Sequence, residues 1–158
     1  MNIGSGAGYP ASALSNFCPY RFTFDGVECN SMEGFLQSLK FSNPDMQEHV
    51  CTLVGVRAKY KGKNKKWWKT QTLYWKGVEY KRDSEEYQQL LDGAYVALLE
   101  NTKFQRALLA TGSATLKHSI GKTNQNQTIL TVREFCSRLT QLRRRLQIQQ
   151  NENKLFGA

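Results

Sequence analysis

Three polar residues of different chemistry, Glu33, Gln37 and Lys40, are spaced i, i+4 and i+7. On a helix this spacing sets a carboxylate, an amide and an ammonium along one stripe. The carboxylate can stabilise positive charge at a reacting carbon or take a proton, and the amide can orient a water or a hydroxyl. The amine can release a proton or act as a nucleophile. By periodicity alone, a solvated polar face is the plainer reading, since Met32, Phe35, Leu36 and Leu39 form an apolar stripe on the other side. Context raises the chemical reading, because an Asn16-Phe17 pair, an Asp25-Gly26 dipeptide and a tryptophan-rich basic segment all occur within about fifty residues.

In that segment Trp67, Trp68, Tyr74 and Trp75 are interleaved with lysines. Such a combination can stack a base and hold its phosphates. Tryptophans plugging the core beside a basic surface fit equally well. His118 lies in a loop-like, glycine-containing stretch, Leu116 to Lys122. The Gly121-Lys122 pair lacks the earlier glycine and the following Ser/Thr of a phosphate loop. GxSxG, HExxH and GxGxxG are missing, which argues against hydrolase-elbow, zincin and dinucleotide-binding chemistry. No helix-turn-helix, RRM or zinc-finger signature marks a dedicated sequence reader. The cysteines, Cys18, Cys29, Cys51 and Cys136, form no CxxC pair and read as small buried hydrophobes. No metal or other cofactor is expected.

The elements that must position these groups follow from local signals. Tyr20 to Phe24, an Asp25-Gly26 turn and Val27 to Asn30 read as a hairpin. Ser31 can cap the helix carrying Glu33, and Asn43-Pro44 opens the next, with Met46, Val50 and Leu53 inward and a stop near Gly55. Leu73 to Arg82 looks strand-like with a break at Gly77. A long helix starts at Asp83 to Glu86 and buries Tyr87, Leu90, Leu91, Ala94 and Leu98. Thr102 with Gln105 and Thr131 with Glu134 match the reciprocal capping pattern. Thr111-Gly112 reads as a helix end. The last helix runs Val132, Phe135, Leu139, Leu142 and Leu146 along one face. The expected architecture is α+β, a predominantly helical single domain over 13–146 with one or two small β-hairpins. Residues 1–12 are expected to be flexible and 147–158 a disordered tail.

Charge is distributed unevenly along the 158 residues. Arg57 to Arg82 holds ten basic residues and one acid, Glu79, which accounts for the whole formal charge of +9. The other 132 residues carry twelve bases and twelve acids. Such a local field attracts a phosphate-bearing partner. Arg143, Arg144 and Arg145 form a smaller cluster where a helix C-terminus favours positive charge. No apolar run approaches the ~18 residues of a membrane span, and Met1 to Pro10 lacks the regions of a signal peptide. A cytoplasmic protein with no membrane partner is expected, its oligomeric state open.

With those residues laid out, the chain resembles the NADAR, or YbiA-like, family. The matching stretches are Leu14-Ser15-Asn16-Phe17, Phe24-Asp25-Gly26, Ser31-Met32-Glu33 with Gln37 and Lys40-Phe41, then Lys103-Phe104 and Leu108 to Gly112. Many members carry an Asp and a Trp-Gly after the Thr-Gly element, where this chain has His118 to Gly121. The resemblance implies an N-glycosidase that cleaves a bond between a ribose anomeric carbon and nitrogen. Its implied substrates are ADP-ribosylated guanine in nucleic acid or a ribosylamino intermediate of riboflavin synthesis. It also implies Glu33 as the catalytic carboxylate, Gln37 as an orienting group, and Lys40 as proton donor or Schiff-base nucleophile. Asn16 and Phe17 would lie near the sugar. Trp67, Trp68, Tyr74 and Trp75 are candidates to stack the base, Arg57, Arg82 and nearby lysines to hold phosphates, and His118 to contact substrate. The competing function is sequestration of an ADP-ribose-like nucleotide without cleavage, and a non-catalytic nucleic-acid-binding module is a third.

Overall fold

The computed structural model of the protein describes residues 1–157. Six helices and two antiparallel hairpins share one hydrophobic core. The first hairpin pairs β1 (Phe22–Phe24) with β2 (Val27–Cys29), matching Phe24 with Val27 across the turn. Asp25 and Gly26 both have positive φ, 51° and 77°, the backbone that a two-residue hairpin loop needs to match strand twist. The second pairs β3 (Thr72–Trp75) with β4 (Val78–Lys81) through Lys76 (48°) and Gly77 (84°) in the same geometry.

Helix α1 (Met32–Ser38) starts where expected. Ser31 Oγ accepts the Gly34 N–H at 3.0 Å and donates to the Leu53 carbonyl at 2.8 Å. Phe35, Leu36 and Leu39 are essentially inaccessible, and Phe35 meets Phe24 and Trp75 edge-on at 5.4 and 5.0 Å. Gly34 lets α2 (Pro44–Cys51) and the chain after it approach closely, since a Cβ there would stand 2.6 Å from the Leu53 carbonyl oxygen. Asn43 caps α2 with Pro44 in its first turn. Its buried polar residue is Gln47, which donates to the Phe41 and Tyr74 carbonyls and accepts from Lys76 N–H. Met46, expected inward, is exposed instead, because Gln47 satisfies backbone groups that would otherwise be buried without partners.

The basic stretch opens with α3 (Gly55–Gly62), a helix that its lysine-rich pattern conceals. Helix α4 (Glu85–Leu99) buries all five expected positions. Helix α5 (Thr102–Ala110) is capped one residue earlier than its Thr-x-x-Gln pattern suggests, by Asn101, and is followed by Thr111 at its C-cap and Gly112 with φ 60°. Helix α6 (Val132–Phe156) carries the Thr131–Glu134 capping box.

Both chain ends differ from expectation. Ile3 is buried, and Asn2 pairs with Lys117 as an isolated parallel bridge, so the first residues are ordered by a partner more than a hundred positions away. Helix α6 continues ten residues past Leu146 to Phe156, because its polar run of Gln, Glu and Lys still forms helix readily. Arg143 is buried rather than a solvated helix end, donating to Thr111 Oγ1 and the Ala114 carbonyl at 2.9 and 2.8 Å. No described helix is long and apolar enough to cross a membrane.

Candidate active site

One cavity of about 510 Å³ opens beside α1. Glu33 enters it from the first turn of that helix, where an acid is favoured by the free N–H groups. Its backbone N–H donates to the Asn16 carbonyl at 2.9 Å, which seats the Asn16-Phe17 loop against the helix start. Asn16 Oδ1 in turn accepts from the buried Tyr95 hydroxyl at 3.0 Å, leaving the Asn16 NH2 as that side chain's remaining polar group. One turn on, Gln37 Nε2 donates to Glu33 Oε1 at 2.9 Å, and Gln37 Oε1 is buried with no partner. Lys40 Nζ lies 3.5 Å from the Gly62 carbonyl.

Gly62, at the end of α3, makes this packing possible. A Cβ at that position would overlap Gln37 Oε1 and stand 3.1 Å from Lys40 Cδ. The polar stripe is therefore not a solvated face. It is covered by α3 on one side and opens into the cavity on the other.

Burial raises the Glu33 carboxyl above its ordinary pKa, opposed by the Gln37 hydrogen bond and by the charges of Lys40 and Lys59. Burial likewise lowers the Lys40 ammonium, with Lys122 acting in the same sense and Glu33 against it. Opposed shifts of this kind, a carboxyl raised and an ammonium lowered on one stripe, are the mark of a candidate functional site.

Glu33 is the one carboxylate on the described lining, facing Lys40, Lys59, Lys63, Lys65 and Lys122. Trp67, Trp68 and Phe17 supply aromatic walls, and His118 stands across the cavity with Phe135 behind it. Trp68 is half exposed, with Lys69 Nζ 5.9 Å from its ring centroid.

A family model described as bacteriophage protein GP30.3 matches residues 8–144. The chain belongs to the bacteriophage GP30.3 family. A relative from Enterobacteria phage T4, an uncharacterized 17.1 kDa protein in the Gp30-rIII intergenic region, is 36% identical over 148 residues. That alignment spans 90% of this chain and 96% of the phage T4 protein. Among solved structures, the NMR structure of the E. coli protein YbiA superimposes with a TM-score of 0.62 at 19% identity, over 96% of this chain and 87% of YbiA. The YbiA-like fold implied by the sequence motifs is thus present in this GP30.3-family member.

The GP30.3-family cavity gathers Asn16, Phe17, Glu33, Gln37, Lys40, Trp67, Trp68 and His118. Four expected contributors lie elsewhere. Arg82 is 1% exposed and spent on structure, with a fork to Glu134 at 3.0 and 2.6 Å and Nε donating to the Thr128 carbonyl at 2.8 Å. Trp75 is buried against Phe24 and Phe35, its indole N–H donating to Asp25 Oδ2 at 2.9 Å. Tyr74 sits on β3 with its backbone engaged by Leu39 and Gln47, away from the lining. Arg57 is exposed on α3, two residues before Lys59, which does line the cavity.

Several lining groups carry no sequence signal. Gly4 and Ser5 belong to the segment read as flexible, and Thr128 to Thr131 lie in the chain leading into α6. Lys122 was separable from its neighbours only as the second residue of a Gly-Lys pair. Gly62, which shapes the Gln37 and Lys40 pocket, sits inside a lysine run whose charge masks its packing role.

Proposed function

We propose that the protein is an N-glycosidase that hydrolyses the bond between a ribose anomeric carbon and nitrogen. The observation that carries this reading is the Glu33–Gln37–Lys40 constellation at the cavity wall, its carboxyl raised and its ammonium lowered by burial. As the C1–N bond breaks, positive charge grows on the ribose ring, and the Glu33 carboxylate stabilises it in a site of low dielectric. Gln37 fixes the carboxylate orientation through Nε2, while its own Oε1 is buried against Gly62. Lys40 delivers a proton to the departing nitrogen, or its neutral amine adds to the C1=N carbon of the ring-opened ribosylamine and displaces that nitrogen to form a lysine imine. Borohydride separates the two routes, since only an imine is trapped as a stable adduct.

Five lysines facing one carboxylate suit a substrate with several phosphate charges. The half-exposed Trp68 suits a base stacked at the mouth, whereas Trp67 on the same lining is largely buried in the core. Both features favour ADP-ribose attached to guanine in nucleic acid over a ribosylamino riboflavin intermediate, which carries less charge. Product analysis after incubation with each substrate tests the assignment, with release of ADP-ribose or ribose phosphate as the expected result.

That same single carboxylate favours the second reading, in which the cavity sequesters an ADP-ribose-like nucleotide intact. Native mass spectrometry distinguishes them: hydrolysis leaves free protein and products, whereas sequestration leaves a one-to-one complex of unchanged nucleotide.

A further inference from the structure

The His118 ring is held so that one of its nitrogens is committed and the other is free. Nδ1 lies 2.8 Å from the Ile3 carbonyl oxygen. A carbonyl only accepts, so in the neutral ring Nδ1 carries the hydrogen and Nε2 presents its lone pair. The ring stands edge-on to Phe135, centroids 5.3 Å apart at 78°, and it lines the cavity. Gly121 is what keeps the outer edge clear, since a Cβ there would lie 2.6 Å from His118 Cδ2 and 3.4 Å from Nε2.

The carbonyl that sets the tautomer is itself well fixed. Ile3 is 1% exposed, and its N–H donates to the Lys117 carbonyl at 2.7 Å. Asn2 grips Ser119 twice, accepting from its N–H at 2.9 Å and donating to its Oγ at 2.8 Å. The first residues of the chain therefore act as a brace for the histidine.

We propose that Nε2 of His118 is the proton acceptor for the water that attacks the anomeric carbon. This rests on the N-glycosidase reading above. Among the titratable side chains of the lining, the lysines are donors, and Glu33 has one oxygen engaged by Gln37 while it faces the developing cation. Neutral His118 supplies a lone pair that no described protein group uses. In the step, the water oxygen bonds to C1 while its proton passes to Nε2. The C1–N bond breaks, its electron pair goes to the nitrogen, and that nitrogen takes the Lys40 proton. Proton transfer from His118 back to Lys40 through solvent restores the site. In the imine route the water adds to C1 of the lysine imine and loses its proton to His118 Nε2, and the C1–Nζ bond then breaks with its electron pair returning to Nζ, which takes that proton as the free aldehyde leaves.

The charged groups sharing the cavity with the ring are Glu33 on α1, Lys40 just past its end, Lys59 on α3, Lys63 and Lys65 after it, and Lys122 on the ring's own loop, while Glu134 of α6 is turned away onto Arg82. Phe135 and the Ile3 carbonyl complete its surroundings.

His118→Asn tests the assignment, because the Asn amide can keep a donor toward Ile3 yet has no counterpart of Nε2. With ADP-ribosylated guanine oligonucleotide as substrate, the expected result is a kcat lower by about 10²–10⁴-fold, the usual range for a general base. KM should stay within about threefold, and the acid limb of the kcat profile should disappear. In wild-type protein the midpoint of that limb should coincide with the His118 titration followed by NMR, a readout that needs no variant to fold. A wild type that cleaves, with a His118→Asn variant of equal kcat and unchanged pH profile, overturns the role of His118 alone. So does an acid limb whose midpoint differs from the His118 titration. A wild type that releases no product from any N-ribosyl substrate overturns both this role and the reading on which it rests.

Discussion

At the scale of single residues, the site is built by placing ionisable groups where water is scarce. Glu33 is the clearest case: its folded pKa is raised above the unfolded value, chiefly by burial. A raised carboxyl contributes stability that is present below its unfolded pKa and is lost as pH rises through the folded one. Glu33→Gln removes that penalty. Its thermal midpoint is expected to exceed wild type at pH 7 and to converge with it near pH 4, read by calorimetry at both values. Activity should move the opposite way, a common signature of a destabilised functional group. Lys40 gives a second prediction. Lys40→Met should abolish turnover while leaving the fold intact or slightly more stable, since the ammonium is itself penalised by burial. Circular dichroism and a turnover assay on the same sample check both parts.

The element scale explains how much of the site was legible in the sequence. Helix α1 announced itself through Ser31 and its apolar stripe, and its polar stripe through the i, i+4, i+7 spacing, so Glu33, Gln37 and Lys40 were identifiable as a unit. Whether that stripe faced solvent depended on α3, and nothing in Gly55–Gly62 marks which side packs on α1. Gly62 supplies the test. A helical Gly→Ala change gains about 1 kcal/mol of intrinsic propensity. Here the added methyl displaces Gln37 Oε1 and crowds Lys40. Gly62→Ala is therefore expected to lower kcat by an order of magnitude or more while the thermal midpoint stays level or falls only slightly. Unchanged kcat would mean that α3 merely covers the stripe.

Arg82 shows the converse error of composition. It sits at the end of the most basic segment, yet its charge is consumed by Glu134 at the start of α6. Although burial pushes the Glu134 carboxyl up, the bonds from Arg82, Thr131 N–H and Gln88 outweigh it and hold the pKa below the ordinary value. The stability this gives is present above the unfolded pKa and is lost as pH falls through the folded one. Arg82→Ala leaves Glu134 short of its partner and should cost about 3–5 kcal/mol, the range for breaking a buried pair, measured by urea denaturation at pH 7. Trp75 follows the same logic, since its indole finds Asp25 in the first hairpin, fifty residues away in sequence.

Across the whole molecule, the segment that holds the entire net charge folds back so that Lys59, Lys63 and Lys65 face one cavity with Lys40 and Lys122. Composition indicated an anionic partner, but only the tertiary arrangement concentrates those charges around Glu33. Similarly, α5, α6 and the N-terminal residues meet at the segment 111–119, contacts of long sequence separation that local patterns do not encode. The consequence for binding is a salt dependence. The KM for a polyphosphate-bearing substrate should rise with ionic strength, and Lys63→Glu with Lys65→Glu should raise KM at least tenfold while leaving kcat within about threefold. A KM insensitive to both changes would remove the charge argument for substrate class.

The central claim is that Glu33 and its helix neighbours break a ribose C1–nitrogen bond, and the most direct measurement is mass spectrometry of ADP-ribosylated guanine oligonucleotide incubated with wild-type protein and with Glu33→Gln. The account predicts free ADP-ribose and restored guanine with wild type, and a rate lower by about 10²–10⁴-fold with the variant. Intact substrate after incubation with wild type, or equal release by both proteins, would contradict it.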